Sequence, residues 1–542
     1  MSSFSRLTVH APFADDVRAY VSSGEAGAQP SEFTAQRVDD EWVVDVEVND
    51  GDHYWFVVDG GPPLLDPNCR ALAHTPDGPR SVRRTPWARL PQGAPLAEPP
   101  VVYELHVRGF GRTFAGCIER LDHVASVGAN VVELMPVHPF DPSDNYWGYM
   151  PLVWGAVHAE YASSALTAAD ELGAFVAAAH DRGLHVWLDV VFNHTGEGDA
   201  SMPTRSLRGL DDAHLYRHHP DGRYIDDSGC GNDIDPSHPY VRALVLAALD
   251  RFADLGIDGF RFDLASLLTR DGGGLVQQIT EWADGRGVAL VAEPWDLGSY
   301  QVGADVWPEV WLQWNDRFRD DVRGFLRGEP GLVAAVRDRV AGSPQLLHTG
   351  DGPSRSVNFL TAHDGLTMHD LTVVTSDHHR SWACGPELRL QQLKNYFSLL
   401  LLSAGTPMWV MGDEFGRTQQ GHENPYNLDG PISWVDWSLV DEWRELTEFV
   451  QSLVALRRQF PPADFRFYGV APEVDESYES RSLAWCANGL YVMVNAWWEP
   501  LTFRVHEVGE WQQVLATAEP HAANADEYTL APRSVVVLAS SR

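Results

Sequence analysis

Between residues 101 and 440 the chain repeats one pattern: a short apolar run, then a stretch of helical periodicity. The runs are Val101–Val107, Asn130–Pro136, His185–Val191, Gly259–Asp263, Ala289–Pro294, Trp311–Trp314, Ser356–Thr361 and Pro407–Gly412. Near-continuous apolar strands are buried on both faces, and parallel pairing requires a crossover helix between neighbours. Helical spacing is present between them, as in Ile118, Leu121, Val124 and Val127, then in Leu172–His180 and Tyr240–Leu255. Eight strands in this alternation predict an α/β fold, a (β/α)8 TIM barrel with loop insertions. A doubly wound sheet is the competitor, but it usually has fewer strands, and no G-x-G-x-x-G turn opens any helix here.

Four of the runs end on polar chemistry. The third closes on Asp189, Asn193 and His194, the fourth on Arg261 and Asp263, the fifth on Glu293 and Trp295, and the seventh on His363 and Asp364. In a (β/α)8 barrel the C-terminal strand ends form the active face. A lone R-x-D on a strand reads as a structural ion pair, and each of the other residues alone has an equally plain structural reading. Four such endings in register favour a shared pocket, because gathering carboxylates is costly unless chemistry requires it.

Acetal cleavage asks for this set: one carboxylate to attack an oxocarbenium-like carbon and a second, protonated, to release the leaving oxygen. Asp263 suits the nucleophile, since Arg261 two residues away on the same strand face holds it ionised. Glu293 suits the acid, and Asp364 with the two His can bind sugar hydroxyls. No metal is required. The His/Asp spacings at these strand ends form no H-x-x-x-H pair or facial triad that would suggest a catalytic metal, and no Asp/Asn-rich loop has convincing calcium-site spacing.

Outside this region the pattern is β-like. Leu7–His10, Val17–Val21, Trp42–Val48 and Tyr54–Val58, punctuated by turn residues, predict an N-terminal β-sandwich over 1–95. A Pro-rich linker leads to the barrel, 101–462. Strands at 482–485, 490–495, 501–505 and 534–538 predict a C-terminal β-sandwich over 463–542. The net charge of −36 argues against nucleic acid and anionic membranes as partners. Five scattered cysteines with no C-x-x-C pair fit a reducing, cytoplasmic setting, and the N-terminus shows no signal-peptide pattern. Twenty Trp residues suit stacking on sugar rings. Oligomeric state is not readable from the sequence.

The segments DVVFNHT, GFRFDLAS, AEPWD and FLTAHDG resemble the four conserved regions of the α-amylase superfamily of retaining glycoside hydrolases. Val102–Phe110, Asn145–Tyr149, Ser206–Asp211, Ser228–Asp233, Gly412–Gly421 and Ile432–Trp437 resemble its isoamylase and bacterial glycogen-debranching branch. The resemblance implies Asp263 as nucleophile, Glu293 as general acid/base and Asp364 as the third carboxylate, which helps distort the sugar. It places Arg261, His194 and His363 around that sugar, Tyr149 stacked on the ring, and Asn193 and Asp189 in support. Trp295 could shape the neighbouring subsite or simply pack. Members of the family sometimes carry a structural calcium ion, and no other cofactor is implied.

The resemblance implies an α-glucan as partner and α-1,6 branch cleavage in glycogen- or amylopectin-like glucans as the reaction. The same site also suits an α-1,4-acting amylase or a 4-α-glucanotransferase. A non-catalytic glucan-binding protein would lack at least one of Asp263, Glu293 and Asp364, and all three are present. Compared with the family, the loops His138–Asn145 and Thr375–Gly385 are short, which implies a more open cleft and an altered chain-length or linkage preference. The N-terminal domain could bind glucan or merely cover one side of the barrel.

Overall fold

The structure, a computed structural model, describes residues 4–541 apart from 26–27, 144, 348–353 and 525. Eight parallel strands form a closed barrel: β1 (Val102–Leu105), β2 (Val131–Leu134), β3 (His185–Val190), β4 (Gly259–Phe262), β5 (Ala289–Ala292), β6 (Trp311–Asn315), β7 (Ser356–Phe359) and β8 (Thr406–Val410). Their order round the barrel is the order of the chain, with β8 beside β1. These are the eight runs read from the sequence. β1, β2, β4, β7 and β8 are buried at every position, as strands covered on both faces must be.

The chain divides into two compact units: Met1–Pro95 with His106–Leu121 and Val132–Trp311, and Leu96–Leu105 with Asp122–Val131 and Leu312–Arg542. The first holds β3, β4 and β5 in strict register, Leu188 opposite Phe260 and Phe260 opposite Leu290. Gly259 lies opposite Trp187, and a Cβ there would come within 2.6 Å of the indole, so the close approach requires glycine. The amino-terminal segment forms a three-stranded and a five-stranded antiparallel sheet. Glu41–Glu47 shows how such a strand is written: Trp42, Val44 and Val46 point inward and the residues between them outward. The following linker docks on helices of this unit. Leu90 N–H donates to Asp254 O (2.7 Å), Trp87 Nε1 to Arg251 O (3.2 Å), and Arg84 Nη2 to Asp170 Oδ1 (2.8 Å).

In the second unit β7 pairs with β8, and β8 with β1. The carboxyl-terminal segment again forms two sheets, of five and three strands. Met493 and Val536 from one and Phe503 and Leu530 from the other share a buried cluster, the packing of a sandwich. The segment docks on the helix Pro386–Leu402, where Gln391 Nε2 donates to Arg533 O (2.7 Å) and Pro532 O (2.9 Å).

The amphipathic stretch around Ile118–Val127 differs from the sequence reading. It forms two short helices, Phe114–Ile118 and Leu121–Ser126, with the apolar side chains Leu121, Val124 and Val127 still fully buried. Among the described residues no helix is long and apolar enough to cross a membrane.

Candidate active site

The end of β4 organises the first unit. Arg261, 1% exposed, extends from the middle of the strand and bonds three carboxylates with its two terminal nitrogens. Nη1 donates to Asp189 Oδ1 (2.9 Å) and Oδ2 (2.8 Å) and to Asp263 Oδ1 (3.1 Å), and Nη2 lies 2.9 Å from Glu293 Oε2. Burial opposes the guanidinium charge, but Asp189, Glu293 and Asp263 outweigh it and hold its pKa above the usual value. Asp189 also accepts from the Tyr149 hydroxyl (2.5 Å). The planar fork of Arg suits this task, and a point-charge ammonium could not reach all three partners.

Directly after Asp263 the backbone turns sharply. Leu264 is left-handed (φ 38°, ψ 49°), an unusual conformation for a residue with a branched side chain. The turn aims Leu264 N–H at Glu293 Oε2 (2.8 Å) and Ala265 N–H at Glu293 O (2.8 Å). The residue following one carboxylate therefore orients the other.

Asn193 and His194, just past β3, form a relay to Asp263. Asn193 Nδ2 donates to Asp263 Oδ2 (2.9 Å) and to its carbonyl (2.7 Å), while Asn193 Oδ1 accepts from His194 Nδ1. His194 Nε2 donates to Tyr149 O (2.6 Å). Both ring nitrogens thus face oxygen acceptors, which is the environment of an imidazolium. Burial works against that charge. Cys230, Asp263 and the Tyr149 carbonyl outweigh it and raise the pKa to about 9.

The loop that carries Cys230 braces this arrangement. Asn232 Oδ1 accepts from Thr195 N–H (3.0 Å), and Asn232 Nδ2 donates to Thr195 O (3.0 Å) and Gly198 O (2.9 Å). Ile234 N–H donates to Asn193 O (3.0 Å). Buried Glu197 adds a hub, accepting from the backbone of Arg205, Ser206 and Arg208 and from the Tyr216 hydroxyl.

In the second unit, His363 and Asp364 follow β7. His363 Nδ1 lies 2.7 Å from Glu104 Oε1, and Glu104 is a fully buried residue of β1. Trp314 packs near the same imidazole, 6.2 Å between ring centres. Asp364 is exposed. Farther along, Glu414 binds the Tyr103 hydroxyl (3.0 Å), His123 Nε2 (2.8 Å) and Trp409 Nε1 (3.3 Å). Burial raises the Asp413 carboxyl to about 7, against hydrogen bonds from Thr361 and Met368 that favour its charge.

Of the residues singled out in the sequence, Tyr149, Asp189, Asn193, His194, Arg261, Asp263 and Glu293 form one bonded network in the first unit. Trp295 is half-buried and is joined to Tyr300 by a β-bridge, with no hydrogen bond to that network among the described residues. Sequence reasoning missed Glu104, Cys230 and Asn232 as individual residues. All three lie inside segments noticed for their resemblance, but an acidic residue between apolar neighbours on β1 gives no periodic signal.

A closed eight-stranded barrel carrying an Arg-bridged Asp/Glu pair at adjacent strand ends is an α-amylase-type glycoside hydrolase framework. The family description "Alpha amylase, catalytic domain" matches residues 104–213. The glycogen operon protein GlgX homolog of Mycobacterium tuberculosis is 37% identical over 494 residues, 79% of this chain and 67% of its own length. Isoamylase SU1, chloroplastic, of Zea mays is 33% identical over 513 residues, 77% of this chain and 65% of the maize protein. Among solved structures, the pullulanase of Anoxybacillus sp. LM18-11 matches with a TM-score of 0.84 at 22% identity, covering 100% of this chain and 85% of that one. The pullulanase of Paenibacillus barengoltzii, solved with maltohexaose and alpha-cyclodextrin, matches with 0.82 at 24%, covering 100% and 95%. The chain belongs to the GlgX and isoamylase debranching branch of the α-amylase family of glycoside hydrolases.

Proposed function

We propose that this protein hydrolyses α-1,6 branch linkages of glycogen- or amylopectin-like glucans by double displacement with net retention. One observation carries the chemistry: Arg261 bonds Asp263 and Glu293 with the two arms of one guanidinium. That shared partner favours the spacing of about 5–5.5 Å used by retaining enzymes over the wider gap that admits a water in inverting ones.

Asp263 attacks the anomeric carbon of the outer chain while Glu293 gives its proton to the glycosidic oxygen, which leaves on the main chain with the electrons of the broken C1–O bond. The glycosyl ester on Asp263 is then opened by water, whose proton passes to Glu293. The Leu264 N–H on Glu293 Oε2 fixes which oxygen faces the substrate. Asp364, at the end of β7, takes the part of the third carboxylate. His194 and Tyr149 line the sugar, held by Asn193 and Asp189, His363 is held by Glu104, and Trp295 borders the next subsite. The chemistry needs no cofactor, and the five free cysteines suit a cytoplasmic setting.

The branch-linkage reading is supported by the named relatives, GlgX homologs and isoamylases. A panel of glycogen, pullulan and linear amylose tests it, with products resolved by linkage and the initial anomer read by NMR. Release of linear chains from glycogen with the α-anomer formed first is the expected result. Cleavage of amylose as fast as or faster than glycogen overturns the branch assignment, and initial β-anomer overturns the retaining mechanism.

A further inference from the structure

A second cluster of chemistry-bearing side chains lies in the first unit, apart from the carboxylate network. His10 ends the strand Phe4–His10, Asp211 lies within the helix Leu207–Leu215, and His238 caps the helix Pro239–Asp254. One donor atom from each lies within 4.8 Å of the other two. Among the described residues no other group of three or more His, Cys, Asp and Glu side chains brings its donors so close.

Each donor is held in place, and each has a reason to face the others. His10 Nε2 is buried with no hydrogen-bond partner among the described residues, an expensive state for an imidazole nitrogen. Its ring is fixed by stacking on Tyr240, 4.2 Å between centres and 18° between planes. Asp211 is the one residue of its helix with non-helical backbone angles (φ −162°, ψ 73°), and it is 7% exposed. One of its oxygens accepts from His214 Nδ1 (2.7 Å), and His214 is itself stacked on Phe13 (4.9 Å). This is the outer support that a ligating carboxylate needs. His238 Nδ1 accepts the Tyr240 N–H at 3.2 Å, which orients the ring at the helix start.

We infer that His10, Asp211 and His238 form a binding site for a divalent transition-metal ion of the zinc class, which staples the amino-terminal β segment to the insertion between β3 and β4. Two imidazoles and a carboxylate suit Zn2+, Co2+ or Ni2+, and they do not suit Ca2+ or Mg2+, which take all-oxygen sets. Around a tetrahedral ion with ligand distances of about 2.0–2.2 Å, donors stand about 3.4 Å apart, so the three close in by no more than about 1.4 Å. Water fills the fourth position. If His238 coordinates through Nδ1, the ion replaces the long Tyr240 bond. Sequence spacing gave no sign of this set because its members come from three distant segments.

The test is a Co2+ titration of the full-length protein after chelator treatment, followed by visible absorption, with Zn2+ as competitor. The wild-type protein should bind one equivalent in a tetrahedral-type spectrum that Zn2+ abolishes. His10→Gln, Asp211→Asn and His238→Gln should each lose that equivalent, while glucan hydrolysis without added metal stays within about twofold of wild type. Zn2+ should raise the melting temperature of the wild type by a few degrees and leave that of the variants unchanged. Zinc-edge anomalous diffraction of soaked crystals, with a peak among the three side chains, reads the site without any substitution. Wild-type stoichiometry and spectrum in the variants, no Co2+ spectrum in the wild type, or an anomalous peak elsewhere overturns the inference. The proposed hydrolysis stands or falls on other measurements.

Discussion

Arg261 Nη2 lies 2.9 Å from Glu293 Oε2 while its Nη1 bonds Asp189 and Asp263, so one buried cation sets the position of both proposed catalytic carboxyls. Removing it leaves several carboxylates without their counter-charge. Arg261→Met should cost about 3–5 kcal/mol of stability in denaturant titrations, the usual cost of orphaning buried charges. Arg261→Lys should recover part of that stability but not turnover, which should stay down by on the order of 100-fold, because an ammonium cannot align the pair.

Glu293→Gln keeps an oxygen for the Leu264 N–H. The variant should fold with a melting temperature close to wild type, while kcat on glycogen falls by on the order of 10²–10⁴. Aryl α-glucosides, whose leaving groups need little protonation, should still give a burst of released phenol with this variant. Stopped-flow absorbance reads the burst, and its absence would remove Glu293 from the acid role.

His194 gives a pH signature. Its folded-state pKa of about 9 lies above the unfolded value of about 6.5, so its stabilising charge is fully present below pH about 6.5 and is lost as pH rises through about 9. The shift corresponds to on the order of 3 kcal/mol. kcat/KM and chemical stability should both fall on the alkaline side near pH 9, and His194→Gln should flatten that limb in each measurement.

Glu104 is a positioning residue for His363. Glu104→Ala should lower kcat/KM roughly 10–100-fold, the equivalent of about 1.5–3 kcal/mol for a hydrogen bond to a charged group. Glu104→Gln retains an acceptor and should recover most of it. Equal losses in both variants would mark Glu104 as a packing residue.

The barrel was legible because its strands are near-continuous apolar runs, a pattern imposed by burial on both faces, and four of them end in polar residues. Asp189, Arg261, Asp263 and Glu293 stood out for the same reason: a charged side chain at such a boundary has no solvent to turn to. Glu104 did not, since it sits inside β1 among apolar neighbours and its partner His363 comes from β7. The break near Glu119 was equally silent, because burial of Leu121, Val124 and Val127 is satisfied by one helix or by two. His10, Asp211 and His238 show the limit most plainly: donors brought together by tertiary structure leave no trace in local spacing.

The Asn193 amide, set between His194 and Asp263, has its oxygen on the imidazole and its nitrogen on the carboxylate. Its dipole therefore lies along the field from cation to anion, and rotation of the amide would meet opposition at both ends. Such a group polarises in step with its neighbours. In the proposed reaction, charge drawn from Asp263 as the ester forms would be felt through this amide at the His194 ring without any proton moving. The proposed nucleophile is thereby coupled to a histidine through the Asn193 amide.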